Sequence, residues 1–233
     1  MGLRNFALDR PHPLVKLQPI CVVGMVAAAI LLLGSRSVHA EQPFFMGLNL
    51  NSGGAYGVSA DGRVVVGNGN SAVFRWTRET GVVPIGGGNF IGGVSGDGST
   101  VVGADQTDTS ISAFRWTEQS GYQVIGNGLG RASSHDGSVV VGGDFRWEEA
   151  TGQVSLGFGA MDVSPDGKII VGGGTTGNGY RAFRWTQETG KVELGTLPTS
   201  YLQTNALAMN LDASVVVGNL TLTDSNTEAA RWT

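Results

Sequence analysis

The feature that most constrains this 233-residue chain is an internal repeat. Self-similarity at a fixed period is settled before any single element is assigned, because it fixes the architecture as a whole. An Asp followed by an apolar run ending in Gly recurs five times: DGRVVVG from Asp61, DGSTVVG from Asp97, DGSVVVG from Asp136, DGKIIVG from Asp166 and DASVVVG from Asp212. The Asp positions lie 36, 39, 30 and 46 residues apart. An Arg-Trp pair follows each run, at Arg75-Trp76, Arg115-Trp116, Arg146-Trp147, Arg184-Trp185 and Arg231-Trp232, and these pairs hold all five Trp residues. Gly81, Gly121, Gly152 and Gly190 stand five residues after the Trp, and an apolar residue precedes Gly at Ile85-Gly86, Ile125-Gly126, Leu156-Gly157 and Leu194-Gly195. The order never changes.

Each repeat reads as four short strands. In the first they are AYGVS, RVVVG, AVFRWT and GVVPIG. The Asp-Gly between the first two predicts a type I′ hairpin, since both residues accept positive φ. Along VFRWT, Phe74 and Trp76 share one face while Arg75 and Thr77 share the other. The aromatic face is expected to pack on the neighbouring repeat, and the Arg to pair across a strand, between repeats or with water. Four antiparallel strands in about 40 residues make the blade of a β-propeller. A blade has two apolar faces and cannot bury them alone, so blades must stack.

The expected architecture is therefore all-β: a single β-propeller domain over residues 41–233, with repeats at 51–86, 87–126, 127–157, 158–195 and 196–233. The fifth repeat stops at Arg231-Trp232-Thr233 without a fourth strand, and residues 43–50 (PFFMGLNL) occupy a fourth-strand slot before the first repeat. That N-terminal strand is expected to complete the last blade and close the ring. The alternative is a piece of a longer array.

The first forty residues read as a signal peptide. Arg4, Arg10 and Lys16 precede an apolar run over residues 19–33, and Val38-His39-Ala40 places small residues before a cut near Ala40-Glu41. The run is short of the ~20 residues that span a bilayer as a helix, so secretion or surface display is expected, with an uncleaved anchor as the alternative. Cys21 lies inside the run and reads as filler. Removing Asp9 and the four bases Arg4, Arg10, Lys16 and Arg36 from the chain's 19 acids and 15 bases leaves 18 against 11, a net charge of −7. That balance argues against nucleic acid or an anionic membrane as partner. No Cys remains, His135 is the sole His, and no later stretch is apolar enough to cross a membrane.

The combination VS-x-DG-x-VVVG, A-F-R-W-T, TG and LG resembles the HAF repeat family of bacterial extracellular proteins, over about residues 44–233. The slot that names that family reads Ser112-Ala113-Phe114 and Arg181-Ala182-Phe183 here, shortens to Gly143-Asp144-Phe145, and becomes Glu228-Ala229-Ala230 in the fifth repeat, so its His is never present. The resemblance implies export and a repeat fold, and no reaction.

Residues that look chemical are mostly explained by the repeat. Ser134-His135-Asp136 invites a triad reading, but consecutive residues do not aim three side chains into one hydrogen-bonded chain. His135 also occupies a variable turn slot held elsewhere by Ala60, Gly96, Pro165 and Leu211. The five repeated Asp residues suggest the carboxylate pairs of a glycosidase, yet a catalytic pair breaks a repeat and these sustain one. Asp105, Asp108, Asp144, Asp162 and Asp224 lie outside the repeat slots, the first two in the polar segment ADQTDTSISA, where Ca²⁺ ligation is conceivable but lacks the dense D-x-D-x-D-G spacing. Selectivity is expected in the divergent loops at residues 68–71, 104–112, 173–180 and 197–204, foremost TLPTSYLQT (196–204) with Tyr201.

The sequence thus predicts a non-enzymatic binding module with an unassigned protein or glycan partner, no catalytic residues, no metal and no cofactor. A five-bladed glycosidase-like enzyme and a structural surface repeat, or fragment of a longer passenger protein, are the alternatives.

Overall fold

The strands fall into five antiparallel sheets in chain order, one per repeat. The computed structural model describes residues 46–48, 50, 52–69, 72–195 and 201–233. The chain divides into Met1–Met46 and Gly47–Thr233, and the second unit holds every described strand. The first sheet contains β1 (Gly53–Val58), β2 (Val65–Gly69), β3 (Ala72–Thr77) and β4 (Gly81–Gly86). The second contains β5 (Phe90–Val94), β6 (Thr100–Gln106), β7 (Ile111–Thr117) and β8 (Gly121–Asn127). The third contains β9 (Ala132–Ser133), β10 (Val140–Gly142), β11 (Phe145–Glu148) and β12 (Gly152–Ser155). The fourth contains β13 (Gly159–Val163), β14 (Ile170–Thr176), β15 (Gly179–Thr186) and β16 (Gly190–Glu193), and the fifth β17 (Tyr201–Met209), β18 (Val216–Leu222) and β19 (Thr227–Trp232). Within each sheet the strands pair in sequence order. This is the β-propeller architecture. No helix among the described residues is long and apolar enough to cross a membrane.

The first connection of each repeat differs from a two-residue type I′ hairpin. Ser59 donates its backbone amide to the Val64 carbonyl at 2.9 Å and accepts at its own carbonyl the Gly62 amide at 2.9 Å, closing a six-residue loop. Only the Gly enters positive φ, at 73° for Gly62, 75° for Gly98, 67° for Gly137 and 72° for Gly167. The Asp stays at negative φ because its carboxylate works locally, as in an Asx turn.

The Gly that ends each apolar run has a packing cause. A Cβ on Gly67, Gly103, Gly142, Gly172 or Gly218 would collide with a main-chain carbonyl of the preceding strand or its entry, at Gly54, Phe90, Leu129, Gly159 and Asn205 respectively. Register shifts at Ala55/Gly57, Ile91/Gly93, Ala160/Asp162 and Ala206/Ala208 accompany this close approach in four of the sheets.

The core lies between sheets. Val64, Val66 and Val73 of the first sheet pack with Ile91, Val101 and Phe114 of the second. Val102 and Ala113 meet Val140 and Phe145 at the next junction. Val139, Val141 and Leu156 meet Phe158, Ala160, Ile170 and Phe183 at the third, and Val171 and Ala182 meet Ala206 and Val216 at the fourth. Burying each such side chain contributes roughly 1.5–3 kcal/mol, so the stack is held by its junctions.

The strand expected to close the ring falls only partly on described residues. Residues 43–45 and 49 lie outside them, while Met46–Leu48 and Leu50 belong to no strand. The Leu50 side chain lies beside Gly69, at the end of β2 in the first sheet. Among the described residues the fifth sheet has three strands, with β19 at its edge.

Candidate functional site at the convergence of the turns

The Ser-x-Asp-Gly turns carry a side-chain network that is repeated four times. The hydroxyl of Ser59 donates to Asp61 at 2.7 Å and accepts the Val64 amide at 3.0 Å. Ser95 with Asp97, Ser134 with Asp136 and Ser164 with Asp166 repeat the first bond at 2.6, 2.7 and 2.6 Å. Each carboxylate also accepts the amide two residues on, from Arg63, Ser99, Ser138 and Lys168 at 3.0, 2.9, 3.0 and 3.1 Å. Donors aimed at a carboxylate favour its ionised form. The Ser134 hydroxyl, followed by the Ser138 amide and hydroxyl, therefore lowers Asp136 to about 2. Asp61 and Asp166 are lowered in the same way, led by Ser59 and Ser164. At Asp97 burial pushes upward as the largest single influence, and the Ser95 and Ser99 donors together outweigh it. In the fifth repeat Asn210 replaces Ser, its side-chain oxygen accepting the Val215 amide at 2.8 Å.

The five variable turn residues, Ala60, Gly96, His135, Pro165 and Leu211, line one shallow cleft of about 180 Å³. Main-chain bonds link their turns: Ala60 donates to the Gly96 carbonyl, Asp97 to that of His135, and His135 to that of Pro165, each at 2.9 Å. Pro165 has no N–H and cannot continue the series. Here the one-off Asp162 intervenes. Its carboxylate accepts the Met209 amide at 2.8 Å and the Val163 amide at 2.9 Å, tying the fourth sheet to the fifth. Burial raises its pKa against the pull of those two amides. Asp162 and Met209 line the cleft, as does Ser133, whose buried hydroxyl has no hydrogen-bond partner. Leu211 is 85% exposed at its rim.

Ser134 bonds directly to Asp136, and the His135 ring lies over Gly96 of the preceding repeat. The three consecutive residues thus form a turn. Asp144 holds residues 155–158 by accepting the Ser155 hydroxyl at 2.9 Å and the Leu156 and Phe158 amides at 3.1 and 3.0 Å. Asp224 accepts the Asn226 amide at 3.1 Å in the turn between β18 and β19. The polar segment at 104–112 is mostly strand, since Asp105 pairs with Ser112, and only residues 107–110 connect β6 to β7. No cluster of three or more metal-ligating side chains occurs among the described residues.

Of the divergent loops, residues 70, 71 and 196–200 lie outside the described residues, as does the side chain of Tyr201. Residues 173–176 and 179–180 are strand. Tyr180 and Gln203 do come together, lining a polar cleft of about 160 Å³ with Thr204, Asn205, Asn219 and Thr221, where the buried Asn205 side-chain oxygen has no partner. A cavity of about 570 Å³ lies between the third and fourth sheets, lined by Arg146, Lys168, Arg184 and Trp185 together with Asp166 and Glu188. Sequence reading missed the cleft at the turns because it treated the variable turn slot as uninformative. The available sign was Pro165, a residue unable to donate in a slot whose counterparts can.

The sequence matches no family model and no curated protein. The fold is similar to solved structures. A putative TolB from Agrobacterium tumefaciens aligns with a TM-score of 0.52 and 15% identity, over 76% of this chain and 80% of that one. The hydrazine synthase of Kuenenia stuttgartiensis gives 0.51 and 15%, over 78% and 59%. The tricorn protease gives 0.50 and 14%, over 71% of this chain and 18% of the protease. At such identities the likeness is one of fold.

Proposed function

We propose that this chain is an exported, non-enzymatic interaction module that binds a protein or glycan partner through the face where its five turns converge. The observation that carries this reading is the cleft itself. One variable residue from every repeat lines it, and the residues that depart from the repeat (His135, Asp162, Pro165 and Leu211) gather there on a scaffold that fixes their backbone. Function on repeat scaffolds concentrates where loops vary over a rigid frame. An exposed Leu at the rim and a His and an Asp within reach supply an apolar anchor beside polar groups, the mixture that recognition sites use. The repeated carboxylates are held by their own turns, which supports binding over glycoside hydrolysis.

Leu211→Asp and His135→Ala in the full chain test this. Immobilised protein is probed with soluble surface glycans and purified extracellular proteins, with glycoside turnover assayed in parallel. Saturable binding that both substitutions weaken, without turnover, is the expected result. Hydrolysis that disappears with Asp162→Asn would overturn it.

A further inference from the structure

The junction of the third and fourth sheets departs from the repeat at one point. At the preceding junction Arg115 lies 5.8 Å over Trp147 and donates from Nε to the Gly137 carbonyl of the next turn at 3.3 Å. One repeat on, Arg146 lies at the same 5.8 Å over Trp185, but its Nε is buried without a hydrogen-bond partner. Its side chain is 16% exposed, and its one side-chain hydrogen bond among the described residues runs from Nη2 to Glu148 at 2.6 Å. Gly167, the counterpart of Gly137, borders the cavity of about 570 Å³.

Glu148 is the cause. It occupies the slot that holds Thr77, Thr117 and Thr186 in three other repeats. There the hydroxyl bonds within its own turn to that of Thr80, Ser120 or Thr189, at 2.8, 2.7 and 2.7 Å. A carboxylate in that slot competes for the guanidinium two residues back, because a charge-assisted bond is stronger than one to a neutral carbonyl. Arg146 turns to Glu148, and the space beside Trp185 and Gly167 stays open.

The lining suits a ligand of mixed polarity. Trp185, half-buried against the core of this junction, provides an apolar wall. The volume falls within the roughly 300–1,000 Å³ of small-ligand pockets. A guanidinium holds its N–H donors in a fork that matches a carboxylate, and in Arg146 Nη2 is engaged while Nε is not. Asp166 is held by the Ser164 hydroxyl and the Lys168 amide, with the Lys168 Nζ 3.5 Å away. Gln187 and Glu188 stand exposed on the same lining and can accept. A fitting ligand therefore brings an anionic group for Arg146 and donors for Glu188 on one rigid body. Free phosphate brings the anion without the donors and is repelled by both acids. An acidic side chain of a peptide carries its donors on a flexible main chain several bonds away. A uronic-acid ring carries a carboxylate and hydroxyls together.

We infer that this cavity is a second binding site, for a short glycan containing uronic acid, whose carboxylate pairs with Arg146 while its hydroxyls meet Glu188 and its ring lies against Trp185. The site is separate from the cleft at the turns. Pro165 borders that cleft, and Asp166, Gly167 and Lys168, next in the same turn, border this one. The inference holds whichever partner the turn cleft takes.

Isothermal titration calorimetry on the full chain tests the inference, with trimers of galacturonate, glucuronate and mannuronate and their neutral methyl esters as probes. At least one acid trimer is expected to bind saturably, and its methyl ester about tenfold or more weaker, as the loss of a hydrogen bond to a charged group predicts. Arg146→Met removes the guanidinium and is expected to abolish the preference for acid over ester. Because Arg146 also supports the junction, Glu148→Thr serves as a second variant. It restores the residue of the other repeats and lets Arg146 reach the Gly167 carbonyl. Binding is expected to weaken by about tenfold while the melting temperature holds or rises. Failure of all three acids to bind, equal affinity for acid and ester, or undiminished binding by Glu148→Thr would each overturn the inference.

Discussion

The carboxylate of Asp162 accepts the Met209 amide at 2.8 Å, beside the turn where Pro165 has removed a main-chain donor. The bond crosses from the fourth sheet to the fifth and stands in for the turn-to-turn bonds that link the earlier repeats. Asp162→Ala is expected to leave that amide without its partner and to lower stability by about 1–3 kcal/mol. Faster hydrogen exchange at Met209 and a lower urea midpoint would report it. Adding Pro165→Ala restores an N–H to the turn and is expected to recover part of the loss. An Asp162→Ala midpoint equal to wild type would refute the role.

Acidification should unfold the protein through its turns. Folded Asp136 sits at about 2, below the ordinary value of 3.8 that an unstructured Asp carboxyl adopts. Above 3.8 both states are ionised and the stabilisation is complete. As pH falls from there through about 2, the unfolded chain takes up the proton first and the stabilisation is lost. Asp61, Asp97, Asp166 and Asp212 are lowered too and act in the same direction. Asp162, raised by burial, acts oppositely, since protonation relieves its desolvation. Those five, together with Glu148, which the bond from Arg146 lowers, stand against Asp162 alone and predict a net fall in Tm on acidification. Ser134→Ala removes the leading donor to Asp136 and is expected to flatten that fall; an unchanged slope would count against the network.

Arg115 illustrates what the repeated Arg-Trp does. Besides lying over Trp147, its Nε donates to the Gly137 carbonyl of the next turn at 3.3 Å. Arg115→Ala is expected to cost about 1–2 kcal/mol, combining a cation–π contact with one hydrogen bond. Trp fluorescence should shift red as the indole gains water. Equal stability of the Ala variant would reduce the pair to surface decoration.

The fifth repeat carries Ala213, at φ 53°, where the others carry Gly. A left-handed Ala costs roughly 1–2 kcal/mol, partly offset by the greater freedom Gly has when unfolded. Ala213→Gly is therefore expected to stabilise by about 0.5–1 kcal/mol. Gly137→Ala is expected to do the reverse and by more, because its Cβ would also collide with the Thr100 side chain of the preceding repeat. Thermal melts of the two variants moving in the same direction would contradict both arguments.

Much of the fold was legible in the chain because each strand is coded locally. Alternation along Val73-Phe74-Arg75-Trp76, Gly at the left-handed turn position and the recurrence of both in a fixed order assign four strands per repeat without any long-range knowledge. The role of the Asp was half visible. Its turn was evident, but the bond from Ser134 over His135 to Asp136 depends on a loop conformation that Asp-Gly alone does not specify.

What only the tertiary structure decided are relations between repeats. That Asp162 answers Pro165, that five turn residues share one cleft, and that Arg146 lacks the carbonyl that Arg115 finds all depend on how one sheet lies against the next. The sequence by itself determined the unit, since hydrogen-bonded pairing and side-chain alternation act over a few residues. The junctions were decided by packing between residues some 40 positions apart, where identical motifs acquire different surroundings according to what the next repeat presents to them.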